Sequence, residues 1–323
     1  MKLLKFLFDI TLNLTIHPHK SLKPHQIQTE QDVARLANQE VSALQEIISN
    51  KEEHYGFFRQ EKKDGTLRDI HPPRKKLKLI QRKIKKFFDH FPWPRYVQGG
   101  IRKRSILSNA RLHCGKKMVA WLDIRKFFPS TNPSMVLESL EKIGIGKAAS
   151  KLIVELGTYK NALPQGSPAS VSLANLVFLD ADDRFELFCK KHRLIYSRYI
   201  DDISISGDID FRPHKGQFLK FIEQKGYVVA KDKIDFIGRD RPQIVNNLVV
   251  NDKVRPNKDF INDLKNDIRC CWTEEGMELL AADFGLLPRE LQRSLWGRIN
   301  FTKQFDPKLY KDLKAIMIGA FFK

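Results

Sequence analysis

Leu194-Ile-Tyr-Ser-Arg-Tyr-Ile-Asp-Asp-Ile-Ser-Ile-Ser-Gly207 reads as two short apolar strands meeting at a turn. Ile195, Ile200, Ile203 and Ile205 supply β-branched bulk, and Ser204 and Ser206 alternate with isoleucine in the second half. Asp201 and Asp202 interrupt the run. Asp is depleted in strands, and two adjacent carboxylates repel each other. The pair is either a hairpin turn facing water or a site where a cation neutralises the charge. Mg²⁺ suits the second case, since it takes hard oxygen ligands and keeps positions for water and phosphate.

A second acidic stretch lies upstream. Met118-Val-Ala-Trp-Leu-Asp-Ile-Arg-Lys-Phe-Phe-Pro-Ser130 puts Asp123 at the end of another apolar strand, before an aromatic pair. Two strands that bring one and two carboxylates to one point form the core of a two-metal nucleotidyl transferase. Between them, Leu163-Pro-Gln-Gly-Ser-Pro-Ala-Ser170 is a tight turn that leads into a long helix over residues 169–192.

In that order, these three segments resemble the palm of reverse transcriptases. Asn109-Ala-Arg-Leu-His113, an NAxxH segment, resembles the retron branch of the bacterial enzymes. Val245-Asn-Asn247 departs from that branch, which carries Val-Thr-Gly at this place. The resemblance implies an α+β, right-hand polymerase with fingers, an antiparallel palm sheet with packed helices, and a helical thumb. Residues 1–115 would hold the N-terminal region and fingers, and 116–240 the palm, with a fingers-type insertion near 133–160. Residues 241–323 would form the palm–thumb connection and the thumb.

The resemblance also assigns roles. Asp123 and Asp201 would bind two Mg²⁺ ions, for which Mn²⁺ could substitute, with Asp202 assisting and the Ile124 carbonyl as a further ligand. Arg68 would meet the incoming triphosphate, Gln165 the nucleotide or template, and Lys233 the pyrophosphate. Phe128 resembles the aromatic gate that excludes a ribose 2′-hydroxyl, with Phe127 packing beside it. Asn109 and His113 would grip a structured RNA; their local alternative is capping and hydrogen bonding. The implied partners are a noncoding RNA serving as template and primer, dNTPs, the DNA product and an effector protein. The implied setting is cytoplasmic antiphage defence.

Charge supports a polyanionic partner. The 323 residues carry 57 Lys and Arg against 38 Asp and Glu, a net charge of +19. After Pro72-Pro73, residues 74–91 form a helical pattern with Leu77, Ile80, Ile84, Phe87 and Phe88 on one stripe. Lys75, Lys76, Lys78, Arg82, Lys83, Lys85 and Lys86 cover the rest without an acid among them, which favours a surface that tracks phosphates. Residues 54–71 read as a basic hairpin turning at Asp64-Gly65. Asp180, Asp182, Asp183 and Glu186 read as a solvated or ion-paired helix face. Cys114, Cys189, Cys270 and Cys271 read as free thiols, since none forms a CxxC. The apolar start, MKLLKFLFDITLNLTI, is too short to span a bilayer and reads as a docked helix or strand, with an amphipathic membrane contact as the lesser alternative.

Rival readings are a non-retron defence-associated or intron-type reverse transcriptase, and a non-catalytic RNA-binding scaffold on a palm fold. The intact set Asp123, Asp201 and Asp202 argues against the scaffold, because an unused carboxylate cluster is costly to keep together.

Overall fold

The computed structural model describes residues 23–61 and 65–321, with backbone alone at 231–233 and 321. The apolar start and the Asp64 turn therefore lie outside the described residues. The chain divides into two compact units. One comprises the residues up to Ser105 with Ala120–Ile205 and Phe211–Asp235; the other comprises Ile106–Val119, Ser206–Asp210 and the chain from Phe236 on. Most of residues 1–115 and 116–240, read above as consecutive segments, group in the first unit.

In the first unit, Val33, Leu36, Ala37, Val41, Leu44, Ile47 and Ile48 fall near one helical spacing, yet they lie on two helices, α1 (Glu30–Ala37) and α2 (Val41–Ser49). Asn38 takes a left-handed conformation (φ 55°) and ends α1, a position that Asn tolerates better than most residues. The antiparallel hairpin β1 (Phe58–Glu61) and β2 (Leu67–Ile70) pairs Gln60 with Arg68. The basic helix is α3 (Lys75–Phe88), and its five apolar stripe residues are all buried.

Gln81, also buried on α3, fastens that helix to three other segments. Its amide donates to the Tyr55 hydroxyl and to the Leu156 carbonyl, both at 2.9 Å, and accepts from the Ser167 hydroxyl at 2.7 Å. This satisfies a polar group that would be expensive to bury alone.

The sheet that organises this unit has the order β4-β5-β3-β6, with β3 Met118–Arg125, β4 Ile195–Tyr199, β5 Asp202–Gly207 and β6 Val228–Gly238. Val119, Ala120, Leu122 and Ile124 of β3 are buried, and so is β5 after its first residue. Chain-order neighbours on β3 are α5 (Phe127–Ser130), α6 (Pro133–Lys142) and α7 (Lys147–Gly157). The 22-residue α8 (Ser170–Lys191) buries residues on several sides, as a helix enclosed by the core must. Next comes α9 (Lys215–Glu223).

In the second unit, α4 (Ile106–Leu112) packs through Ala110 on Val245, Leu248 and Val250. Val245 and Leu248 belong to the antiparallel meander β7 (Ile244–Val245), β8 (Leu248–Val249) and β9 (Arg255–Pro256), and Val250 directly follows β8. That packing is why residues 106–115, read above with the fingers, group with the C-terminal part. Four helices follow: α10 (Lys258–Cys270), α11 (Glu274–Asp283), α12 (Pro288–Thr302) and α13 (Pro307–Phe321). Their core holds Leu264, Ile268, Leu291, Leu295, Ile299, Leu313 and Met317. Pro288 and Pro307 each open a helix, where a missing N–H costs nothing. No helix among the described residues is long and apolar enough to cross a membrane.

Candidate active site

The turn between β4 and β5 consists of Ile200 and Asp201, with Asp202 opening β5. Ile200 has φ 62°, which a β-branched residue rarely adopts. The next carbonyl, that of Asp201, accepts the Ile124 amide of β3 at 3.1 Å. This bond seats the turn against the strand that carries Asp123. Burial pushes the Asp201 carboxyl above its ordinary value; its own backbone amide opposes that, Asp123 adds to it, and Arg68 and Arg198 pull it back. Asp123, Asp201 and Arg68 thus act within one electrostatic field, although Arg68 itself is exposed on β2.

No group of three or more His, Cys, Asp or Glu side chains among the described residues is assembled closely enough to hold a metal as it stands. The donor chemistry nonetheless suits a hard divalent cation. The site offers acid oxygens, and the charged form of Asp201 is disfavoured by burial and by a neighbouring acid, which a cation would relieve.

The two rings of the aromatic pair after β3 differ in burial. Phe127 is buried against Phe178 and Tyr227, with ring centroids 5.9 and 5.3 Å away. Phe128 is half-buried. In the LPQGSP turn, the Gln165 carbonyl accepts the His71 amide at 2.9 Å, while its side-chain Oε1 is enclosed without a partner. Gly166 has φ 101°, and a Cβ there would lie 3.3 Å from the Pro72 Cα, so the turn needs glycine on both counts. Lys75, Lys76, Arg82 and Lys83 are exposed on α3. Lys233 lies on β6; its side chain is outside the described ones.

Two expected RNA contacts need correction. Asn109 and His113 are both fully buried in the second unit, so neither side chain can grip an RNA directly. His113 Nδ1 is 2.7 Å from the Ser206 hydroxyl, and Asn109 Nδ2 donates to Asn246 Oδ1 at 2.6 Å. The local hydrogen-bonding alternative is what the fold uses. Asn246 and Asn247 also explain how VNN stands in place of VTG. With φ 48° and 63°, they form the two-residue turn between β7 and β8, where Val245 pairs with Leu248. Asparagine is well suited to that pair of left-handed positions.

Burial holds the His113 imidazole down, to about 3. An unfolded histidine titrates near 6.5. A lowered folded value means that the fold accepts only the neutral ring, so this contribution is complete above about pH 6.5 and drains as pH falls towards 3. By pH 5 the loss should be about 2 kcal/mol. Urea unfolding at pH 7.5 and pH 5 checks this. The wild type should lose about 2 kcal/mol more than His113→Gln, and equal losses would contradict it.

Of the solvated or ion-paired face expected for the acids of α8, the structure shows mainly the ion pairs, one of them fully buried. Asp180 pairs with Lys142, and Glu186 with Lys190. Asp182 is fully buried against Arg198, and Asp183 accepts from the Tyr96 hydroxyl. Arg198 was missed in the sequence reading, as were Gln81 and Gly99. A signal was present, since Arg198 interrupts the apolar run of β4, and Asn175 and Asp182 fall seven residues apart on one face of α8.

An acidic hairpin seated on a central strand, within an α+β fold of this order, defines a polymerase-type palm. Residues 60–254 match the reverse transcriptase (RNA-dependent DNA polymerase) family, and the chain belongs to it. Its relatives place it with the retron-type bacterial enzymes. It is 29% identical over 224 residues to the retron Ec86 reverse transcriptase of Escherichia coli, covering 68% of this chain and 70% of that one. It is 35% identical over 167 residues to the retron Se72 reverse transcriptase of Salmonella heidelberg, covering 51% and 44%. The matched stretches thus span 70% and 44% of these two relatives' lengths. Among solved structures, a telomerase from Candida albicans is similar at a TM-score of 0.45 and 12% identity, over 87% of this chain and 64% of that one.

Proposed function

We propose that this chain copies a bound, structured noncoding RNA into DNA by two-metal nucleotidyl transfer. The observation that carries the reading is the seating of Asp201 against β3, which brings it into the field of Asp123 with Arg68 opposite in sign. Asp123 and Asp201 would hold two Mg²⁺ ions, with Asp202 and the Ile124 carbonyl assisting. When bound, such ions activate the primer 3′-hydroxyl and neutralise charge on the triphosphate.

The chain's own groups do the rest. Arg68 meets the triphosphate with a fork of donors. Gln165, half-buried in the LPQGSP turn, meets the nucleotide or template. Lys233 neutralises or protonates the pyrophosphate. The exposed cations of α3 follow the backbone of the nucleic acid. The resemblance to retron enzymes extends this proposal to a cytoplasmic antiphage role with an effector protein; the relatives' names go no further than reverse transcription.

The test is extension of a primed RNA template with dNTPs in Mg²⁺ or Mn²⁺, with sequencing of nucleic acid that copurifies. No template-directed incorporation under either ion would defeat the polymerase reading. RNA without attached or annealed DNA would defeat the retron role alone.

Sugar choice gives a second measurement. A half-buried Phe128 would stand where a ribose 2′-hydroxyl has to go, excluding it by bulk and leaving it without a hydrogen-bond partner. Phe128→Ala should keep dNTP incorporation and gain rNTP incorporation. Phe127→Ala should instead cost about 3–5 kcal/mol of stability, since it empties a packed aromatic cluster. Unchanged dNTP-to-rNTP ratios in both variants would remove the gate from this position.

A further inference from the structure

Arg198 is completely buried, in the middle of β4, two residues before the strained Ile200. Its Nε and Nη2 donate to the two carboxylate oxygens of Asp182 at 2.8 and 2.6 Å. Its Nη1 donates to Asn175 Oδ1 at 2.8 Å and to the Ile200 carbonyl at 2.7 Å. The guanidinium also lies 4.9 Å from the centre of the Phe178 ring. The Tyr196 hydroxyl donates to Asp182 Oδ1, the oxygen that also accepts from Nε, at 2.5 Å. Burial alone would make Arg198 easier to deprotonate; Asp182 outweighs it and holds the charge in place.

Fold stability does not explain this arrangement. Removing two charges from water costs about as much as their attraction returns, and a well-packed apolar pair is often at least as stable. An apolar pair cannot donate a hydrogen bond to the Ile200 carbonyl. That carbonyl belongs to the residue that must hold a left-handed backbone for the turn to form. The following carbonyl, of Asp201, is taken by the Ile124 amide. Two successive carbonyls of the turn are therefore fixed, one by Arg198 and one by β3. Asn175 extends the clamp, since its Nδ2 donates to the Gly99 carbonyl at 2.8 Å.

We propose that Arg198 is a positioning residue for the catalytic turn: anchored by Asp182 and Asn175, it holds the Ile200 carbonyl and so fixes where Asp201 stands relative to Asp123. The proposal rests on the reading of Asp123 and Asp201 as the pair that holds the reaction's metal ions.

The decisive variant is Arg198→Met with Asp182→Leu, which removes both charges together and so avoids leaving either one buried alone. It should melt close to the wild type. Its kcat for dNTP incorporation on primed RNA should fall on the order of 100-fold, the effect of misplacing a reacting group by about 1 Å. The KM for dNTP should move far less, since the substrate contacts are elsewhere. Mn²⁺ binding by the protein on primed RNA, followed by EPR without turnover, should weaken in parallel. A double variant with wild-type melting, kcat and Mn²⁺ binding overturns the proposal and leaves the pair purely structural.

Should that variant fail to fold, Arg198→Lys takes its place. It keeps the charge, but one ammonium cannot serve Asp182, Asn175 and the Ile200 carbonyl together. The same loss of kcat is expected, and a folded Lys variant with wild-type kcat overturns the proposal. Asp201→Ala is run beside both. Wild-type extension by Asp201→Ala sinks the reading of the site and the proposal with it. An inactive Asp201→Ala beside a fully active Arg198 variant sinks the proposal alone.

Discussion

Asp201→Ala should lose primer extension by about 10³-fold or more, equivalent to about 4 kcal/mol of transition-state stabilisation, without losing stability. The two halves of this result have one cause. The Asp201 carboxyl is buried beside Asp123, so its charge is costly to the fold and useful only to a cation. Its raised folded value means that its contribution to stability is fully present at low pH and is lost as pH rises through that value. In metal-free buffer at neutral pH, the alanine variant should therefore melt at or slightly above the wild-type temperature. RNA retention on a gel-shift assay should be unchanged, because the exposed cations of α3 are untouched. Wild-type extension would defeat the assignment of the acidic turn. A large drop in melting temperature would mean that Asp201 serves the fold and that its inactivity is trivial.

Gly99→Ala should be a severely damaging single-methyl change, and one that strikes the catalytic turn itself. A Cβ at Gly99 would sit 2.3 Å from the Ile200 amide nitrogen and 2.8 Å from the Tyr199 carbonyl carbon. These are backbone atoms of the catalytic turn, which have no rotamer by which to withdraw. Overpacking costs about 1–3 kcal/mol when side chains can yield, and more when backbone must move. The added methyl should therefore cost roughly 3 kcal/mol and lower extension about 100-fold in the molecules that remain folded. Gly216→Ala is the control. It lies on α9 with nothing within 4 Å of the added carbon, and alanine in a helix should be neutral or mildly stabilising. Thermal melts and single-nucleotide extension on both variants check the contrast. Equal behaviour of the two would mean that the turn does not depend on the close approach at Gly99.

Much of this protein is legible in its order of residues. Alternating and continuous apolar runs marked β3, β4 and β5. Helical spacing of Leu77, Ile80, Ile84, Phe87 and Phe88 marked the buried stripe of α3 and left its cations outside. Asp123, Asp201 and Asp202 stood out because acids do not belong in such strands. These features are local, so nearest neighbours in the chain suffice to read them.

Other features depended on groups far apart in sequence. Asn109 and His113 were assigned an RNA grip by the resemblance of their segment to the retron branch; only the packing of α4 on the β7–β8 turn shows them to be buried and bonded to Asn246 and Ser206. Asn38 split a helix that apolar spacing alone would continue. Asp182 read as one more acid on a helix face until Arg198, sixteen residues on, folded back onto it. The reason is the same in each case. Hydrophobic period records which face of an element is buried, but a buried polar group is satisfied by one particular partner, and only the tertiary structure decides which partner arrives.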